Sequence, residues 1–212
     1  MPVTIWIPTA KPETMITWDQ YNKAFDQTIT EVEKKSLDRM VKLGNDANAL
    51  IRQRVQEEGV NAEGKRFDGY SKKPMLANCS SMTKSACSRI AGSKTKRKEL
   101  SWVTLERGGK KVKLFELELG YFQYRLLHGR QTNHVDFTFT GRMWNNIGIV
   151  SNAGDHNAGT VIIGAKTEED KKKLEGNTKR KGDILDLSEK EINLLKEIYN
   201  IEVLKVFKDH GL

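Results

Sequence analysis

Groups able to do chemistry are sparse in this chain of 212 residues, so they come first. His134 and Asp136 stand two apart and would share one side of a strand, as a metal site requires; a third ligand would have to come from His156, in a loop of small residues over 151–159. Nothing in the spacing fixes that loop, and the expectation is no metal and no cofactor. HExxH, GxSxG, CxxC and a phosphate-cradling glycine loop with its lysine are all missing, which argues against the common hydrolase and nucleotide chemistries. A lone His128 on a short helix reads as a surface or hydrogen-bonded residue. Cys79 and Cys87 would close a short loop if bridged, but one pair in a chain of this size reads as two free thiols in an intracellular protein.

Charge is the stronger signal. Residues 72–113 hold twelve of the 36 Lys and Arg and only two of the 28 Asp and Glu, so they carry +10 while the rest of the chain, within an overall +8, carries −2. Such a segment predicts an acidic partner, either nucleic acid or an acidic protein surface, with Lys94, Lys96, Arg97, Lys98, Lys110 and Lys111 as the contact residues. No run approaches the ~20 apolar residues of a membrane span, and MPVTIWIP is too short for a signal-peptide core.

The elements that must position these groups follow from period and caps. Residues 3–7 read either as a disordered tail or as an extended arm ended by prolines, whose Trp6 would pack on a neighbouring subunit. Thr17 to Gln20 has the form of a capping box, and Trp18, Tyr21, Phe25, Ile29 and Val32 open an apolar face that recurs to Val55. A helix over 17–58 would be about 60 Å long, with Gly44 as its weak point, and too long for its own core to cover. Trp18, Tyr21 and Phe25 are therefore interface candidates. Residues 72–98 give a weak helical stripe and then an exposed loop at 92–98. Two strand patterns flank Gly108-Gly109 as a hairpin with one covered face, and 120–130 reads as a short helix. The stretch 135–191 predicts a strand at 135–139, a corner at Thr140-Gly141 with a short helix, strands at 147–150 and 160–165, a polar helix from Thr167, and a final amphipathic helix capped by Ser188. The expected class is α+β: a long N-terminal helix, a small antiparallel or mixed sheet with an inserted basic hairpin, and a C-terminal amphipathic helix. Residues 1–16 would be the arm and 17–212 one domain, with the basic insertion at about 72–118.

Several pieces, taken in order, resemble a known family. Ile51-Arg52-Gln53-Arg54 running into GVNAEGKRFDGYS at 59–71 resembles the helix and D-x-G-x-x-W/F opening of phage virion morphogenesis proteins, the tail-completion and head-tail joining proteins of the Mu-like protein G type. VDFT with Thr140-Gly141-Arg142-Met143 and Ile147 resembles that family's strand, T-G-x-M and short-helix corner. TVIIG at 160–164 is similar to its next strand, and 171–191, closing on Leu187-Ser188, to its final motif. The likeness spans 51–199 and departs where the family's Arg-Pro-Phe is Lys181-Gly182-Asp183. Thr140, Gly141, Met143, Leu187 and Ser188 would be its structural residues.

The resemblance implies a non-enzymatic structural subunit of a virion, made in the host cytoplasm. It would form a homo-oligomeric ring at the neck or tail, beside portal, neck or tail proteins, with DNA passing through the channel. A free nucleic-acid-binding protein is the other reading of the basic segment, and a nuclease built on His134 and Asp136 is a distant third.

Overall fold

The computed structural model describes residues 4–5, 16–98, 100–138, 141–154 and 159–212. Trp6, Thr140 and His156, and the last residue of the expected strand at 135–139, lie outside them. The class is α+β, with small antiparallel sheets, an N-terminal helical region and a long C-terminal helix. Where the sequence reading set one domain over 17–212, the packing falls into two compact units. One comprises Met1–Gln53 with Met143–Leu212, the other Arg54–Arg142, and the basic stretch lies in the second.

In the first unit, β1 (Thr4–Ile5) pairs antiparallel with β2 (Ile16–Thr17). The α1 helix (Trp18–Lys34) opens on the expected capping box: Thr17 Oγ1 accepts from the Gln20 amide, and the Gln20 side chain accepts from the Thr17 amide. The long helix does not break at Gly44. It breaks at Lys35, and α2 (Ser36–Gln53) restarts one residue later. Arg39 spans the break, donating from Nη1 to the Val32 carbonyl at 2.6 Å and so satisfying an acceptor that the end of α1 would orphan. Gly44 is instead a packing residue. A Cβ there would lie 2.6 Å from Val161 Cγ1 and 3.2 Å from Ile149 Cδ1, so its absence lets α2 seat on the hairpin of β6 and β7.

The second half of this unit starts with Met143 and Trp144 buried on the short α6 (Arg142–Asn145). Then β6 (Ile147–Gly154) pairs antiparallel with β7 (Gly159–Ala165), with an irregularity between Ile149 and Ser151. Residues 151–154, read from sequence as loop, are thus strand. The α7 helix (Glu168–Lys181) is capped by Thr167, and α8 (Glu189–Asp209) by a Ser188–Glu191 capping box. Buried Asp170 ties the cap of α7 to the corner before β6: Asn146 Nδ2 and Thr167 Oγ1 donate to its Oδ2 at 2.6 and 2.7 Å. Those two bonds, with Lys173 beside them, hold its carboxyl at about 2.

The second unit opens with a π-turn, Arg54–Glu58. Its sheet has the order β3–β5–β4, built from β3 (Met75–Ala77), β4 (Trp102–Arg107) and β5 (Lys110–Leu117), all antiparallel. Ala77, Phe115 and Leu117 form its buried centre, with Met75, Ile90, Tyr124 and Leu127 packed around them. Met75 and Leu76, expected on a helical stripe, are strand. The α3 helix (Lys84–Ala91) is capped by Thr83, and α5 (Gly120–Leu127) follows the sheet.

Two further expectations differ from the structure. Cys79 and Cys87 are not free thiols but a disulfide, with Cα atoms 5.2 Å apart. Residues 94–98, expected as loop, form the short α4 (Lys94–Lys98). A third correction, at 135–138, belongs to the geometry of Asp136.

Candidate interaction surfaces

Of the residues read as able to do chemistry, His134 and Asp136 sit in hydrogen-bonded positions of the second unit, and His156 lies outside the described residues. Residues 135–138 are not strand, and Phe137 has φ 52°. Asp136 is buried beside Arg125, whose Nη2 donates to its Oδ2 at 3.0 Å. Tyr70 Oη donates to Asp136 Oδ1 at 2.6 Å, and the Thr138 amide donates to the same oxygen at 2.8 Å. Arg125 also serves the carbonyls of Gln131 and Thr138 and lies 4.2 Å from the Tyr70 ring centre. Burial, then the bond to Asp136, pushes the Tyr70 phenol well above its usual range. The alternation in VDFTF thus reflects a charge buried for pairing, not a strand face. His134 Nε2 sits 2.8 Å from the Gln56 carbonyl. Among the described residues, no group of three His, Cys, Asp or Glu could hold a metal ion.

The interface candidates of the first unit form a ladder of rings along α1. Trp18 stacks on Tyr21 at 5.6 Å, Tyr21 on Phe25 at 6.3 Å, and Phe25 meets Phe207 of α8 edge-on at 6.2 Å. Trp18 stays 48% exposed and Phe25 40%, so the ladder is ordered yet open to solvent. Sequence reasoning missed a separate set of exposed apolar residues on α8, Leu194, Ile201 and Leu204. The seven-residue step from Leu194 to Ile201 was the available signal. Of the family-motif residues, Met143 is buried, Gly141 has φ 79°, Ser188 caps α8, and Leu187 joins Met40, Leu43, Leu195 and Tyr199 around an apolar groove of about 440 Å³ between α2 and α8.

The cationic candidates fall into two places in the second unit. Lys94 and Lys98 are exposed on α4; the side chains of Lys96 and Arg97 lie outside the described residues. Lys110 and Lys111 sit at the tip of the β4–β5 hairpin, closed by Gly108 and Gly109 at φ 58° and 72°. That pair of positive φ values is the two-residue turn matched to strand twist, and only glycine adopts it without strain. Five rungs separate the Arg107↔Lys110 closure from Trp102↔Phe115, so the tip lies about 17 Å along the ribbon from its base. The two lysine groups stand on different elements, α4 and the ribbon tip.

β3 pairs only with residues 115–117, so 103–114 project beyond it as a two-stranded ribbon. The register assigns its faces. Thr104, Glu106, Lys111 and Lys113 share one, with Glu106 opposite Lys111; Val103, Leu105, Val112 and Leu114 share the other. The expected covered face exists only at the base, around Phe115 and Leu117. Along β4, Val103 and Leu105 are 36% and 45% exposed.

Among the described residues, no helix is long and apolar enough to cross a membrane. The chain matches no protein-family model, no curated protein and no solved structure.

Proposed function

We propose that this chain is a structural subunit of a tailed-phage neck or tail, assembling as a ring that joins or completes the head-tail connection and lets DNA pass. The observation that carries the reading is the pairing, on one chain, of two unlike exposed surfaces: the ordered aromatic ladder Trp18–Tyr21–Phe25–Phe207 and the cationic β4–β5 ribbon. A closed ring is made by head-to-tail contacts, which need two different surfaces on every subunit. Exposed, stacked aromatics supply the apolar area such a contact buries, while the lysines suit an acidic neighbour or the DNA lumen. The ordered motif resemblance over 51–199 gives the virion its place in the proposal. Electron microscopy of assembled particles tests it: a ring of identical copies at the neck or tail is expected, and absence of the chain from purified particles overturns it.

The projecting ribbon favours one second reading, a nucleic-acid-binding protein acting outside a virion. It requires duplex DNA affinity that falls steeply with salt and is lost on neutralising Lys110 and Lys111 of the ribbon together with Lys94, Lys96, Arg97 and Lys98. Absent or salt-insensitive binding rejects it.

A further inference from the structure

The sheet of the second unit ends on β4, and the hydrogen-bond register says which of its peptide groups face outward. The Glu116 amide donates to the Ser101 carbonyl at 3.2 Å, one rung below Trp102↔Phe115. In an antiparallel ladder, bonded and non-bonded pairs alternate. Val103, Leu105 and Arg107 therefore aim their N–H and C=O groups at β5, and Thr104 and Glu106 aim theirs away from the sheet. Among the described residues, no strand lies beside that edge.

Exposed edges are normally blunted by proline, by a bulge, by a very short strand or by charged side chains. β4 has no proline or bulge and its charged residues, Glu106 and Arg107, stand only at its hairpin end: it pairs without interruption through six rungs and carries the exposed Val103 and Leu105 on one face. From these observations we infer that β4 is a docking edge for an extended, acidic segment of a partner protein, which adds to the sheet as a fourth strand. Backbone bonds to Thr104 and Glu106 supply sequence-independent affinity, and the side chains supply specificity. Alternate apolar residues of the incoming strand lie against Val103 and Leu105; the residues between them face the side of Thr104, Glu106, Lys111 and Lys113, where Lys111 offsets the Glu106 opposite it and Lys113, paired with Thr104, favours a carboxylate beside Thr104. Charge decides among occupants. A second copy would bring another +10 segment to the same edge, whereas an acidic strand is complementary. A DNA duplex would leave the leucine-bearing face and the outward amides unused.

This inference rests on the acidic-partner reading of the basic segment and is independent of ring assembly, so its failure leaves the microscopy test of the ring standing. The experiment uses the full chain with a fluorescent peptide alternating Glu and Val, a Lys-Val peptide and a DNA duplex as probes, read by anisotropy and by amide hydrogen exchange. The Glu-Val peptide is expected to bind at least about tenfold more tightly than the Lys-Val peptide and to slow exchange at Thr104 and Glu106; Thr104→Pro, which removes only an outward N–H, weakens it by about tenfold, the worth of one or two backbone bonds. Leu105→Lys keeps the amides but spoils the apolar match, and serves if the proline variant misfolds. Equal binding of both peptides, binding without slowed exchange, or displacement by duplex DNA from the same amides overturns the proposal. So does slowed exchange that rises with chain concentration alone, which would give the edge to a second copy.

Discussion

Arg125 Nη2 meets Asp136 Oδ2 at 3.0 Å with 1% and 6% of the two residues exposed, so the acidic residue of the 134–136 stretch is held in a buried ion pair. Every charged atom of the cluster has a partner, from Tyr70, Thr138 and the carbonyls of Gln131 and Thr138. Removing one partner strands the other charge in a low-dielectric interior.

Asp136→Ala is therefore expected to destabilise the chain by about 3–5 kcal/mol in urea unfolding, while Arg125→Met combined with Asp136→Leu loses much less. A single variant within 1 kcal/mol of the wild type, on the order of a surface pair, would mean that the pair does not hold the 131–138 segment.

Gly44→Ala separates two views of the N-terminal helical region. A glycine that merely weakened a helix would give up to about 1 kcal/mol of stability on becoming alanine. Here the new methyl meets Val161 Cγ1, a stiff β-branched side chain, and the net effect is expected to be a loss of about 1–2 kcal/mol. Val161→Ala in the same chain should recover most of it, as a double-mutant cycle in urea would measure.

How far the sequence could be read is plain from the same residues. The capping box at Thr17, a cap for the last helix at Ser188, the start of a helix at Thr167 and the Gly108-Gly109 turn were legible because each is a local feature of residues about three apart. The break at Lys35 was not, since it is stabilised by Arg39 reaching back across it. The strand expected at 135–139 failed because Asp136 finds Tyr70, 66 residues away, and no local pattern carries that. The disulfide was illegible for a similar reason: composition argued compartment, while pairing depends on the turn that brings Cys79 to Cys87. Of the candidate surfaces, Trp18, Tyr21 and Phe25 were legible from helical spacing. Phe207 was not, being 182 residues from the Phe25 it meets.

Acid should weaken the first unit through Asp170. Its carboxyl is held at about 2 by bonds from Thr167 and Asn146, against about 3.9 in the unfolded chain. The folded value is the lower, so between these limits the unfolded state binds more protons; the contribution is complete above about pH 5 and fades as pH falls through 4 towards 2. Asp170→Asn should accordingly cost most at neutral pH, with the gap to wild type narrowing below pH 4 in acid-unfolding curves. A gap that stays constant down to pH 2 would show that the carboxylate charge does no stabilising.

Subunit contact is assigned to the aromatic ladder. Replacing Trp18 and Phe25 by serine should keep most of the helical circular dichroism, because neither residue belongs to the fully buried core, at the cost of the Phe25–Phe207 contact, and should abolish association.

Native mass spectrometry of the full chain, alone and with its neighbouring virion proteins, tests the ring most directly. The account predicts one closed oligomer of identical copies for the wild type and monomer for the Trp18→Ser, Phe25→Ser variant. A wild-type chain that stays monomeric even with those neighbours present would contradict it.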